Sequence, residues 1–354
     1  MSGLPPNMIL FLLGCGISAL CAWILLRHVG SRWGIDLADE PRKTHEGPTP
    51  RIGGLAIFPA WITVGFLCGQ PLAIAVGATL LFLLGFGDDL VRLNSSRKLQ
   101  AQVVVGVITF ALGLRMASLP SLSGGSMELP WMISLVLTVG WIVGWTNAMN
   151  LIDGLDGLAT GIILIGMAFT AMILPGGGGV AWGVAGAAAG FFWFNFPRAK
   201  MFLGDGGAYL AGYLFAVLSL TAPGGRGVPF LATLLSVPLL DTAFAFLRRA
   251  WRGLPVMKGD AEHIHHHLRA FGWKSPVVAL VLHGATAVAG AVAWVAFQNG
   301  GSGWKGLIGV LLAGGSGIWF LATRPNPAGI DQNNSASPAS SSVAGSETVS
   351  SSST

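Results

Sequence analysis

Long apolar blocks alternate with short polar breaks along most of this chain. A bilayer core takes about 17–25 apolar residues of helix, and the blocks have that length. They predict eleven spans, at 8–26, 52–69, 71–87, 99–116, 130–148, 158–174, 180–196, 207–222, 228–247, 276–297 and 304–323. The breaks carry turn chemistry: Gly69 to Pro71, Leu119 to Gly125, Gly176 to Gly179 and Pro223 to Gly227. The first block lacks a basic leader and a clear small-residue cleavage site, so it reads as a helix. Residues 324–354 are Ser, Asn, Ala, Gly and Pro with almost no large apolar group, and read as a disordered tail. The expected fold is an all-α polytopic membrane domain over 1–323.

Composition agrees. Of 354 residues, 53% are hydrophobic and 10% charged, against roughly 25% charged in soluble domains. That excludes a soluble enzyme, a nucleic-acid-binding domain and a secreted disulfide scaffold. The 52 Gly and 13 Trp suit close helix packing and interfacial anchoring. Cys15, Cys21 and Cys68 lie in apolar stretches without metal spacing and read as small buried hydrophobes. The net charge of +5 matters through its placement. With the amino terminus outside, all of the 20 Lys and Arg except Arg115, Arg226 and Lys305 fall on the inner side. The positive-inside rule then makes the carboxyl end cytoplasmic.

The same topology gathers the acids. Asp88, Asp89, Asp153, Asp156 and Asp205 fall at or just beyond inner helix ends, and Asp241 sits within the ninth span. Acids in spans are costly and face a cavity or a partner. Acids ringed by basic loops suit a divalent cation bound together with anionic groups. The bland reading of any single acid is a solvated loop residue or an ion pair with a nearby Arg.

Four segments carry the chemistry. Asp88 and Asp89 end an apolar helix, where the macrodipole disfavours acids; a cation or a shared proton relieves their repulsion. Asn147, Asn150, Asp153 and Asp156 recur every three residues, on one drifting face if helical, and their oxygens suit Mg²⁺ or nucleoside hydroxyls. Asp205, among glycines after Asn195, Arg198 and Lys200, reads as a metal ligand or a helix cap. His263, His265, His266 and His267 cluster in an expected polar loop, with phosphate recognition favoured over a transition metal. A fifth segment, Asp39 to Gly54, holds Arg42, Lys43, His45 and Arg51 between turn residues; it fits a basic juxtamembrane loop and a flap over an anionic substrate equally well.

Together these segments resemble the polyprenyl-phosphate N-acetylhexosamine-1-phosphate transferase family. The match covers roughly 8–323, with PRKxH…PxPRxGG, GDD, NxxNxxDGxDGL, FLGD and HxHH in order. The ending HIHHHL fits the amino-sugar initiating branch, as in O-antigen synthesis, better than the HHHFE type of the pentapeptide transferases. The resemblance implies transfer of sugar 1-phosphate, with GlcNAc the expected sugar, from a UDP-sugar to undecaprenyl phosphate at the cytoplasmic face of the inner membrane, releasing UMP. FucNAc, QuiNAc or MurNAc-pentapeptide are the alternative donors. It implies Mg²⁺, with Mn²⁺ as the substitute, on Asp205 and Asn150. Asp88 and Asp89 become the acids facing the acceptor phosphate. The implied substrate contacts are Asp153, Asp156, Asn147, Asn195, Lys43, His45, Arg51, Asp241, His263, His265 and His266. Expected partners are the UDP-sugar, undecaprenyl phosphate, membrane lipid and, as one option, a second copy in a homodimer, with no nucleic acid. An aromatic prenyltransferase wants acid spacings of four, a CDP-alcohol phosphotransferase an Arg absent from 153–160, and a transporter acids at mid-bilayer and a repeat.

Overall fold

The computed structural model describes residues 4–29, 35–36, 49–122, 125–173, 178–251, 263–300 and 303–323. Among them run thirteen α-helices: α1 (Pro6–His28), α2 (Gly54–Leu67), α3 (Leu72–Val91), α4 (Ser95–Ala111), α5 (Trp131–Ile152), α6 (Leu158–Ile173), α7 (Gly178–Asn195), α8 (Gly204–Leu220), α9 (Gly227–Leu234), α10 (Ser236–Trp251), α11 (Ile264–Ala270), α12 (Ser275–Gln298) and α13 (Trp304–Thr323). Two antiparallel pairs and a short 3₁₀ turn (Pro223–Gly225) complete the described chain. Strand β1 (Ile35–Asp36) pairs with β2 (Thr49–Pro50), and β3 (Ser118–Pro120) with β4 (Ser126–Glu128).

Every expected span meets a helix, with three differences. The ninth is broken: α9 and α10 meet at 80°. Pro238 has no amide to pass to the Leu234 carbonyl, so a continuous helix loses a bond there, and the chain turns at Leu235. The fourth stops early, at Ala111, where Gly113 takes φ 91°. The fifth runs on to Ile152 and carries Asn147 and Asn150 on its last turns. Helices α1, α3, α5 and α12 are long and apolar enough to cross a membrane, and the bent α9–α10 pair makes a fifth candidate. The tail expected at 324–354 lies outside the described residues.

Helix α8 is the centre of the bundle. Every residue from Gly206 to Ser219 is buried, as a helix apolar on all sides requires. Helices α2, α3 and α5 pack around it. Small residues let the backbones approach: a β-carbon at Gly85 of α3 would lie 2.4 Å from the Asp205 carbonyl oxygen. That contact brings the acidic end of α3 against the first turn of α8. Tyr213, deeper in α8, donates to the Ala73 carbonyl at 3.0 Å and sits 3.0 Å from Thr109 Oγ1, tying α8 to α3 and α4. The cysteines are less buried than expected: Cys15 and Cys21 are half-buried and Cys68 is exposed.

Candidate functional site

The site is assembled from helix ends. Backbone bonds first hold the segment after β2 against the chain entering α8. Phe202 N–H donates to Pro50 O at 2.9 Å, Gly53 N–H to Phe202 O at 2.9 Å, and Gly54 N–H to Leu203 O at 2.8 Å. This sets Arg51 beside Asp205's turn. Helix α8 has no side-chain cap of its own. Asp89, reaching across from α3, supplies one: its Oδ1 accepts from Asp205 N–H at 2.9 Å and its Oδ2 from Gly206 N–H at 3.0 Å. A carboxylate at the positive end of a helix is favourable. The bland alternative for Asp205, that it caps its own helix, is therefore not what the structure has.

Asp88 points elsewhere. It is buried, accepts from Leu93 N–H at 2.5 Å, and pairs with Lys98 Nζ at 2.5 Å. Lys98 also lies 3.6 Å from Asp205 Oδ2. Asn150 Nδ2 donates to Asp205 Oδ1 at 2.9 Å. Side chains of α3, α4, α5 and α8 thus meet around Asp205, with an ammonium between two carboxylates.

The end of α5 divides the expected one-face row. Asn147 and Asn150 are helical, Asp153 follows as the C-cap residue, and Asp156 lies in the turn beyond. Asn147 Nδ2 bonds Gln102 Oε1 at 2.6 Å. Asp156 Oδ2 accepts from Ala199 N–H at 3.0 Å. Asn195 is buried, and its amide serves the protein itself: Oδ1 accepts from Gly157 N–H at 3.1 Å and Thr160 Oγ1 at 2.7 Å, and Nδ2 donates to Met201 O at 2.9 Å. It braces the 153–157 turn. The Asp153 carboxyl is pushed up to about 7, first by desolvation and then by repulsion from Asp205 and Asp156, with Arg51 opposing.

The histidines form the adjoining wall. They are expected in a polar loop; instead His263 precedes α11 and His265 and His266 lie on it. Helix formation turns His265 inward, to 1% exposure. Its ring sits over the 153–157 turn, where a β-carbon at Gly154 would lie 2.3 Å from Nε2. Neither of its ring nitrogens has a hydrogen-bond partner among the described residues. Burial, then His266, holds the ring down to about 3, and burial also lowers His266. His263 Nδ1 lies 2.8 Å from Asp241 Oδ2, so Asp241 joins this wall. Lys43 and His45 lie outside the described residues.

Sequence reading missed Lys98, counting it only as an inner-side charge, and it missed Gln102. A signal existed for the lysine. Lys98 stands near the amino end of α4, where a cation opposes the helix dipole, so it needs a partner to explain it.

The chemistry on offer is that of hard oxygen donors. Among the described residues no three His, Cys, Asp or Glu side chains converge as a ready-made metal cage. Asp205 and Asn150 are adjacent, the amide donating to one carboxylate oxygen, and Lys98 places positive charge where Asp88 and Asp205 attract it. This suits a small hard cation held by one or two protein ligands, with phosphate oxygens and water completing its shell.

Comparison with known proteins adds the family. The profile of glycosyl transferase family 4 matches residues 71–222. The chain is 39% identical over 268 residues to a "Probable undecaprenyl-phosphate N-acetylglucosaminyl 1-phosphate transferase" of Bacillus subtilis (strain 168), covering 70% of this chain and 74% of that one. It is 33% identical over 303 residues to a decaprenyl-phosphate N-acetylglucosaminephosphotransferase of Mycobacterium tuberculosis, covering 73% and 74%. It is 31% identical over 285 residues to a phospho-N-acetylmuramoyl-pentapeptide-transferase of Staphylococcus saprophyticus, covering 71% and 86%.

Proposed function

The chain belongs to glycosyl transferase family 4, and from that premise we propose that it transfers N-acetylglucosamine 1-phosphate from UDP-N-acetylglucosamine to a polyprenyl phosphate, undecaprenyl phosphate in the first instance. The products are a lipid-linked diphosphate sugar and UMP. One observation carries the reading. The family match, 71–222, takes in Asp88, Lys98, Asn150 and Asp205, the residues that meet from four helices.

The oxygen donors suit Mg²⁺, or Mn²⁺ in its place, on Asp205 and Asn150. When bound, such a cation offsets the charge of the donor diphosphate and of departing UMP. The protein's own groups do the rest. Asp89 holds the first turn of α8, and so Asp205, in place. Asp88 takes the acceptor-facing role, with Lys98 as the cation that draws the incoming phosphate. Asp153 and Asp156 face the nucleotide, with the imidazoles of His263, His265 and His266 on the phosphates. The chain crosses the bacterial inner membrane eleven times, amino terminus outside, with this site on the cytoplasmic face; the distribution of Lys and Arg supports that orientation.

The test is UMP release by purified protein given undecaprenyl phosphate, Mg²⁺ and a panel of UDP-N-acetyl sugars. UDP-GlcNAc should turn over fastest. One phosphoanhydride replaces another, so added UMP should regenerate UDP-GlcNAc from lipid product. No UMP with any donor sinks the reading. A clear preference for UDP-MurNAc-pentapeptide moves the chain to the branch of the Staphylococcus relative.

A further inference from the structure

Asp241 is an acid in an apolar helix, 4% exposed, and its hydrogen bonds run to the start of α11. Oδ2 lies 2.8 Å from His263 Nδ1, and Oδ1 accepts from Ile264 N–H at 2.7 Å. A carboxylate accepts and does not donate, so facing one Nδ1 carries a ring proton.

The second observation is what α11 lacks. It has seven residues, too few to persist without tertiary support. Its apolar side, Ile264 and Leu268, borders a cavity of about 480 Å³ whose walls include Leu240, Leu282 and Ala285. Leu268 belongs to the apolar core and Ile264 packs against it, but the cavity leaves that packing incomplete, and apolar contacts carry no direction of their own. The two bonds from Asp241 add a directional restraint. Along the same helix, the His265 and His266 rings lie 5.7 Å and 6.5 Å from the His263 ring, and His265 covers Gly154.

We propose that Asp241 is a positioning residue. It sets the tautomer of His263 and the rotation of α11, holds the imidazoles against the Asp153–Asp156 turn, and touches no substrate. This rests on the transferase reading above and revises the expectation that Asp241 contacts substrate.

The experiment uses the full chain, Mg²⁺, UDP-GlcNAc and undecaprenyl phosphate, and follows UMP. Asp241→Asn keeps the shape but turns an amide N–H₂ toward one of the two N–H groups. It should lower kcat by about 10–100-fold, as loss of a carboxylate that orients histidine does, while KM for UDP-GlcNAc stays within about threefold. The double variant with His263→Gln should lose less than the product of the two single losses. Where Asp241→Asn fails to fold, Asp241→Glu carries the same comparison. An unchanged kcat, a loss confined to KM, or fully multiplicative losses overturn the proposal while an active wild type keeps the transferase reading. A wild type that releases no UMP sinks both.

Discussion

At the end of α5 and α8 that carries Asn150 and Asp205, charged side chains from three helices meet an amide from a fourth, and a lysine stands between two acids. At the other end the same two helices are closed by bonds between neutral groups, with Arg226 beyond them donating to the Phe297 carbonyl. Thr138 Oγ1 accepts from Met116 N–H at 2.9 Å, Ser134 donates to the Met116 carbonyl at 2.7 Å, Trp141 donates to Ser219 at 3.0 Å, and Trp304 donates to the Pro120 carbonyl at 2.7 Å. Gly225, at φ 70°, fits under the β3 backbone: a β-carbon there would lie 2.0 Å from Ser118 O. Thr138 Oγ1 also donates to Ser134 O and Ser219 Oγ to Ala216 O, so these polar groups are bonded within the protein. At the acid end attraction and repulsion are left to compete, as the proposed anionic substrate and cation would require.

Asp205→Asn is the strongest test of the contrast. The amide oxygen still accepts from Asn150, so the fold should stand. The lost charge should cut kcat for UMP release by about 10²–10³-fold, the range for removing one electrostatic group from a reacting centre. A variant keeping more than a tenth of wild-type turnover would mean that the acids are structural after all.

Lys98→Met comes next. It leaves Asp88, 8% exposed, without its ion pair, a loss of about 1–3 kcal/mol, and should slow UMP release by roughly 10–100-fold, much as loss of a supporting group at a metal site does. Stabilisation by Mg²⁺ should grow, because an added cation now relieves Asp88 and Asp205 together. Equal Mg²⁺-induced Tm shifts in variant and wild type would end the idea that Lys98 holds the place of a cation.

At the neutral end, Gly225→Ala should behave in the opposite way. It forces a side chain into a left-handed turn beneath Ser118 O. It should lower Tm by roughly 2–8 °C and leave UMP turnover per folded molecule within about twofold. A turnover loss matching that of Lys98→Met would show the two ends to be coupled.

The contrast also explains what could be read in advance. The apolar blocks and the motif acids are local features, and each block met a helix. The pairings are not local. Asp89 caps a helix that begins 115 residues later (sequence separation from Asp205 is 116), and Lys98 reaches Asp205 only because small residues such as Gly85 let α3 and α8 touch. The break at Leu235 had a local cause, Pro238, hidden inside an unbroken apolar run. Helix α11 was hidden differently: four adjoining histidines look like solvent-facing loop until tertiary contacts bury His265.

The smallest effect is also the most specific. Asp153 titrates at about 7 in the folded chain, against an ordinary 3.8. Between those values the folded state binds the proton that the unfolded state has released. Stability therefore falls as pH rises from about 4 through 7, and the cost is complete above that. Asp153→Asn has nothing to ionise. In detergent without divalent cation it should melt above wild type at about pH 8, and the gap should close by about pH 4. Its turnover should fall even where its stability gains, because the repulsion among Asp153, Asp156 and Asp205 that weakens the empty fold also attracts a cation. A variant equally stable to wild type at both pH values would remove Asp153 from that repulsive set. A gain of stability with full activity would break the trade between the two ends, since an acid end that loses charge without losing turnover is not held for chemistry.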